Sequence, residues 1–119
     1  MVLFGFLAAV TKTIRFSNSI LILPQRQTVL VARQAAEIDV LSGGRITLGI
    51  GIGSNADEAA GMGTDFHTRG ARVEEQIELM RALWVERELS FHGKWHDIEH
   101  GGLMILPLFS WEEATALSL

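Results

Sequence analysis

No cysteine occurs among the 119 residues. That excludes disulfides and thiolate chemistry and leaves packing alone to hold the fold. Basic residues are also scarce, with 10 Lys and Arg against 14 Asp and Glu. A mildly acidic chain without clustered positive charge is the wrong footprint for nucleic acid. Apolar runs of membrane-spanning length are missing, and no membrane partner is expected. The opening MVLFGFLAAV has neither the basic flank nor the small-residue cleavage site of a secretory leader. It is expected instead to be the end of a buried helix, with Leu3, Phe6, Leu7 and Val10 on the covered side. Internal repeats and low-complexity linkers are absent too. Nearly half the residues are apolar, 48%, which argues against disorder and fits one modest core. A cytoplasmic location is the expectation.

Two apolar segments suggest strands. Residues 14–23 are rich in β-branched side chains, broken by Ser17, Asn18 and Ser19, and stop at Pro24. Thr28 has the character of an N-cap for a helix over 29–41, with Val31, Ala35 and Ile38 in one apolar row and Ala32, Ala36 and Val40 in another. Arg33 and Glu37 should face water. Ser42-Gly43-Gly44 ends that helix, because glycine takes the left-handed backbone that a C-cap needs. A strand over 45–53 follows at once, so the pattern is a βαβ unit with short loops. A second helix is expected over 69–87, its apolar side formed by Val73, Ile77, Met80, Leu83 and Trp84 and its polar side by Glu74, Glu75, Glu78 and Arg81. Residues 89–96 suggest a hairpin turning at His92-Gly93. Ser110 and Glu113 have capping-box spacing for a last helix.

The second strand alternates in character. Ile46, Leu48, Ile50 and Ile52 form one face, and Thr47, Gly49, Gly51 and Gly53 the other. A glycine face lets something approach the backbone closely, either a ligand or neighbouring side chains, and the pattern leaves both open. Parallel α/β proteins bind ligands at the carboxyl ends of strands, where Gly51, Ile52, Gly53, Ser54 and Asn55 lie. A dinucleotide fingerprint is not met, since the spacing is G-x-G-x-G and no helix is expected to start within the loop.

Three stretches taken in order, "SNSILILPQR", "VARQAAEIDVLSGGRITLGIGIGSN" and "RGARVEEQIELMRALWVE", followed by "LSFHGKWHDI", make the chain resemble the bacterial luciferase-like monooxygenase family. The resemblance covers about residues 7–98. It implies a fragment of a (β/α)8 TIM-type barrel, namely strands three and four with their helices and a small hairpin. It also implies a cofactor, FMN or the deazaflavin coenzyme F-420, and a small organic substrate. Ser19 and Ile20 match the bulge that relatives pack against the ring face, and Ile52, Gly53, Ser54 and Asn55, with Gly51, match the loop at the ring edge and phosphate arm. Considered alone, Ser19 is a strand-end hydroxyl bonded to backbone. Arg69, Arg72 and Glu75 match a recurrent helix-start stretch, and a surface pairing of Arg72 with Glu75 is expected.

A whole barrel of this kind needs about 250 residues. The resemblance therefore implies that the first two strands and the later ones lie outside this sequence. Residues 1–98 are read as the barrel segment and residues 99–119 as a tail without assignment. Unpaired strand edges and uncovered helix faces then predict a homo-oligomer. No positioned acid–base pair is visible, so no catalytic residue is assigned. His92, His96 and His100 have helical zinc spacing, but Gly93 and the hairpin pattern oppose a helix, so no metal site is expected. His67 is expected in a polar loop, exposed to water. The alternative to a partial oxidoreductase is a non-catalytic, self-associating structural module.

Overall fold

Both expected strands are broken in the middle. The computed structural model describes residues 1–107, and in it the first apolar segment forms β1, Phe16–Ser17, and β2, Leu21–Ile22. The glycine-rich segment likewise forms β3, Ile46–Thr47, and β4, Ile50–Gly51. The strands pair in parallel, β1 with β3 and β2 with β4, with Leu21 opposite Ile50 and Ile22 opposite Gly51. The polar interruption Ser17–Ser19 is the cause, because the chain turns there instead of running straight.

Four α-helices accompany them among the described residues. These are α1 (Val2–Val10), α2 (Thr28–Ser42), α3 (Ala56–Gly61) and α4 (Arg69–Val85). Short 3-10 turns occupy Leu23–Gln25 and Phe66–Thr68. An antiparallel hairpin, β5 (Leu89–His92) with β6 (Asp97–Gly101), closes the described residues. The architecture is mixed α/β, with no closed barrel among the described residues. No helix among them is long and apolar enough to cross a membrane. The capping-box expectation at Ser110 and Glu113 lies outside the described residues.

The core lies between α2 and α4. Ala32, Ala35 and Ala36 are fully buried, and their small side chains let α4 approach with Leu79, Met80 and Leu83. The Trp84 indole N–H donates to the Ala32 carbonyl at 2.9 Å and ties the two helices together. Leu21 and Ile50 pack against this cluster from the sheet, and Leu89 and Leu103 from beyond α4. Val40 departs from the expected apolar row and is exposed. Thr28 is not an N-cap. It is the first residue of α2 and is buried, with Gln27 preceding it. Gly43 ends α2 with φ 66, as the Ser-Gly-Gly pattern implies. Arg33 and Glu37 pair on the surface at 2.9 Å.

Helix α1 overturns an expectation. Leu3, Phe6 and Val10 are exposed, and only Ala8 is buried. Phe4 is half-buried and stacks on Phe16 at 5.9 Å between ring centroids, and Leu7 of the expected side is half-buried too. Apolar spacing identifies a stripe, but what covers it depends on neighbours that the described residues do not provide.

Arg45, the last residue of Leu-Ser-Gly-Gly-Arg, holds α1 in place. Its guanidinium donates to the carbonyls of Ala8, Thr11, Ile14 and Ser42 and to the Thr11 hydroxyl, at 2.6–3.2 Å. It also lies 4.9 Å from the Phe16 ring centroid. A cation at the carboxyl end of a helix opposes the negative end of the helix dipole and satisfies its free carbonyls. Arg45→Ala should cost about 2 kcal/mol, and Arg45→Lys should recover little, because an ammonium lacks the guanidinium fork. Urea denaturation checks both; equal stability of Lys and wild type would contradict the fork.

Candidate functional site

Between β1 and β2, opposite the break between β3 and β4, the chain forms a tight turn. Ser19 has φ 59, and the Ile20 N–H donates to the Asn18 carbonyl at 2.7 Å. A bond spanning two residues around a positive φ is a γ-turn of the strained kind. A residue held this way costs about 1–3 kcal/mol and persists only where its surroundings fix it. Two surroundings do so. The Asn18 carboxamide accepts from the Gly49 N–H at 2.9 Å and donates to the Gly49 carbonyl at 3.1 Å. The Leu21 N–H also donates to that carbonyl, at 2.7 Å. Gly49 itself is required, because a Cβ there would lie 1.7 Å from the Ser19 carbonyl oxygen.

The glycine face is not empty. A Cβ on Gly51 would meet Ile20 Cγ2 at 2.7 Å, and one on Gly53 would meet Ile22 Cγ2 at 2.8 Å. The missing side chains therefore admit Ile20 and Ile22 of the chain itself. The result is a flat apolar surface, isoleucine laid over bare backbone, and Ile20 on it is 68% exposed. Ile52, Ser54 and Asn55 are exposed beyond the strand end.

Asn55 has a local task. Its Oδ1 accepts from the N–H groups of Asp57 and Glu58 and caps α3. A short helix therefore does begin directly after the glycine loop, which the apolar periodicity did not reveal. Gly53 has φ 78, and its carbonyl accepts from Arg69 Nε at 3.1 Å. Arg69 Nη1 donates to the Phe66 carbonyl at 2.8 Å, and the guanidinium lies 3.7 Å from the Phe66 ring centroid. Asn18 and Arg69 are the residues that sequence reasoning left out of the site. The signal for Asn18 was the polar interruption facing a glycine.

A second polar cluster sits nearby in the fold. Gln76 Nε2 donates to the carbonyls of Leu23 and Arg26 and to the Thr28 hydroxyl. The Thr28 hydroxyl in turn donates to His96 Nε2 at 2.6 Å, and His96 Nδ1–H donates to Glu75 Oε1 at 2.8 Å. Glu75 also accepts the backbone N–H groups of Lys94, Trp95 and His96 at 2.7–2.9 Å. Burial would raise the Glu75 pKa, but the bonds from the His96 ring and the three turn amides prevail and hold it below its ordinary 4.5. Glu75 therefore serves the hairpin turn rather than Arg72, correcting the expected surface pair. The Arg72 Nε is buried without a hydrogen-bond partner among the described residues.

The histidines are dispersed. His92 bonds Asp97 at 2.7 Å and lies near Glu99, and these two carboxylates raise its pKa, Asp97 foremost. His100 bonds Glu88 at 2.8 Å, and His67 is exposed in the turn before α4. No group of three or more His, Asp or Glu among the described residues is placed to hold a metal. A shallow groove between α4 and β5, bordered by Glu74, Glu78, Phe91 and His92, shares no residue with the strand ends.

Residues 1–108 match the luciferase-like monooxygenase family. An uncharacterised Mycobacterium tuberculosis protein is 40% identical over 97 residues, covering 82% of this chain and 34% of its own length. The F420-dependent glucose-6-phosphate dehydrogenase of Amycolatopsis mediterranei is 35% identical over 92 residues, covering 74% of this chain and 28% of its own. Among solved structures, the monooxygenase RslO1 from Streptomyces bottropensis superposes with a TM-score of 0.77 at 25% identity, covering 95% of this chain and 33% of that one. The oxygenating constituent of 3,6-diketocamphane monooxygenase from Pseudomonas putida, solved in complex with FMN, gives 0.75 at 23% identity, covering 84% and 28%. The chain thus spans about a third of the length of these relatives.

Proposed function

The chain belongs to the luciferase-like monooxygenase family, and from that premise we propose that it supplies part of the wall of a flavin or deazaflavin site in a cytoplasmic oxidoreductase acting on a small organic substrate. In this reading β1–β2 and β3–β4 are strands three and four of a (β/α)8 barrel. The observation that carries it is the strained turn at Ser19, which keeps apolar Ile20 in solvent immediately before β2. Strain and an exposed large apolar group coincide there, in the break that leads into the short β2, whose carboxyl end is where parallel α/β proteins bind ligands.

The residues fit the group. A flat, apolar ring face suits the surface made by Ile20 over Gly51, with Ser19 at its margin. Ile52, Gly53, Ser54 and the Nδ2 of Asn55 line the way to an anionic arm. Arg69 Nη2, without a hydrogen bond among the described residues, would meet that arm's charge. The solved 3,6-diketocamphane monooxygenase holds FMN and the Amycolatopsis relative is F420-dependent, and either cofactor suits these contacts. Such a cofactor supplies hydride transfer or oxygen insertion when bound, while the protein orients the substrate and excludes water.

Titration of FMN and of F-420 into the purified chain tests this. Quenched cofactor fluorescence and an induced visible circular dichroism band at micromolar protein are expected. A flat titration up to millimolar cofactor would sink the reading. A second reading, a non-catalytic module that pairs with copies of itself, is favoured by the exposed stripe of α1. Light scattering separates it, since a monomer at high concentration excludes that module.

A further inference from the structure

We propose that Asn18 is a positioning residue, whose carboxamide fixes the Ser19 turn and so sets the height and tilt at which Ile20 meets a flat ring. The inference deepens the cofactor reading and rests on it. Between the β1·β3 and β2·β4 ladders, residues 18–20 and 48–49 lie outside the paired strands. A carboxamide carries the same donor and acceptor as a peptide. Asn18 uses both on the two sides of Gly49, so its side chain replaces the missing ladder rung. The Gly49 carbonyl is then held by Asn18 Nδ2 and the Leu21 N–H together.

Ile20 has no comparable anchor of its own. Its backbone N–H bonds to the carbonyl of Asn18, and its side chain projects largely into water. Its direction therefore follows from where Asn18 is held. Alanine at position 18 would release both contacts. Aspartate would still accept the Gly49 N–H but could not donate to the carbonyl. The Ser19 turn would then be free to relax to negative φ, and Ile20 would swing with it.

The test combines two readings on wild type, Asn18→Asp and Asn18→Ala. Amide exchange of Ile20, Leu21 and Gly49 is followed by NMR without ligand, and FMN and F-420 titrations are followed by the induced visible band. Loss of the rung should speed Gly49 exchange about tenfold in Asn18→Ala. The dissociation constant should rise by about tenfold, and the band should change shape. Asn18→Asp should keep slow Gly49 exchange yet show an altered band. Wild-type exchange and a wild-type band in Asn18→Ala would overturn the inference. Should Asn18→Ala fail to fold, Asn18→Asp decides, because an unaltered band there is equally fatal. If wild type binds neither cofactor, the cofactor reading fails. The exchange arm then judges Asn18 by itself: faster Gly49 exchange upholds its hold on the turn, and unchanged exchange refutes it.

Discussion

Gly49→Ala is expected to lower stability by about 3 kcal/mol or more, at the top of the range for overpacking. The added methyl would lie 1.7 Å from the Ser19 carbonyl oxygen and 2.7 Å from its carbon. Both obstacles are backbone atoms, so no side-chain rotation relieves the clash. Relief requires the Ser19 turn to move, which breaks the Leu21 and Asn18 bonds to Gly49. Gly5→Ala in α1 provides the contrast. Nothing lies within 4 Å of its added Cβ, and alanine within a helix should gain about 0.5–1 kcal/mol. Urea midpoints should shift in opposite directions. A Gly49→Ala protein as stable as wild type would mean that the strands do not approach so closely.

Glu75→Gln has the next largest expected effect, about 3 kcal/mol, because hydrogen bonds to a charged acceptor exceed neutral ones and an amide with one oxygen leaves the Lys94 N–H facing an NH2 group. Gly93 shows how closely the carboxylate sits in the turn, since a Cβ there would be 2.4 Å from it. The pH dependence follows from the direction of the shift. Glu75 is held below 4.5 in the fold, so it contributes stability above that value and loses it as pH falls through its lower, folded pKa. His96 is the titratable group directly facing it. Thermal unfolding of wild type should therefore weaken from about pH 5 to about pH 3 by more than in Glu75→Gln. Parallel curves for the two proteins would show that the carboxylate charge contributes nothing.

Much of α2 was legible because its signals are local. The alanine rows, the Ser-Gly-Gly end and the left-handed Gly43 all lie within one short window. The hairpin was legible for the same reason, although β6 runs on to Gly101. Glu75 was misplaced because helix spacing favours a partner three residues on, whereas its donors come from Lys94, Trp95 and His96. The strands were drawn unbroken because side-chain alternation continues through a γ-turn. Only the partner strand shows that Asn18 takes over the pairing. The α1 stripe was correctly seen as apolar, but periodicity does not state which side a neighbour will cover.

The glycine under Ser19 also acts as a key for alignment. Parallel strands this short, two paired residues at a time, have little in their own hydrogen bonding to prevent slippage. Sliding β3–β4 by one residue would bring Leu48 or Ile50 beneath the Ser19 oxygen, where a glycine now sits. Neither side chain has room there, so mispaired arrangements are rejected during assembly before either ladder can close.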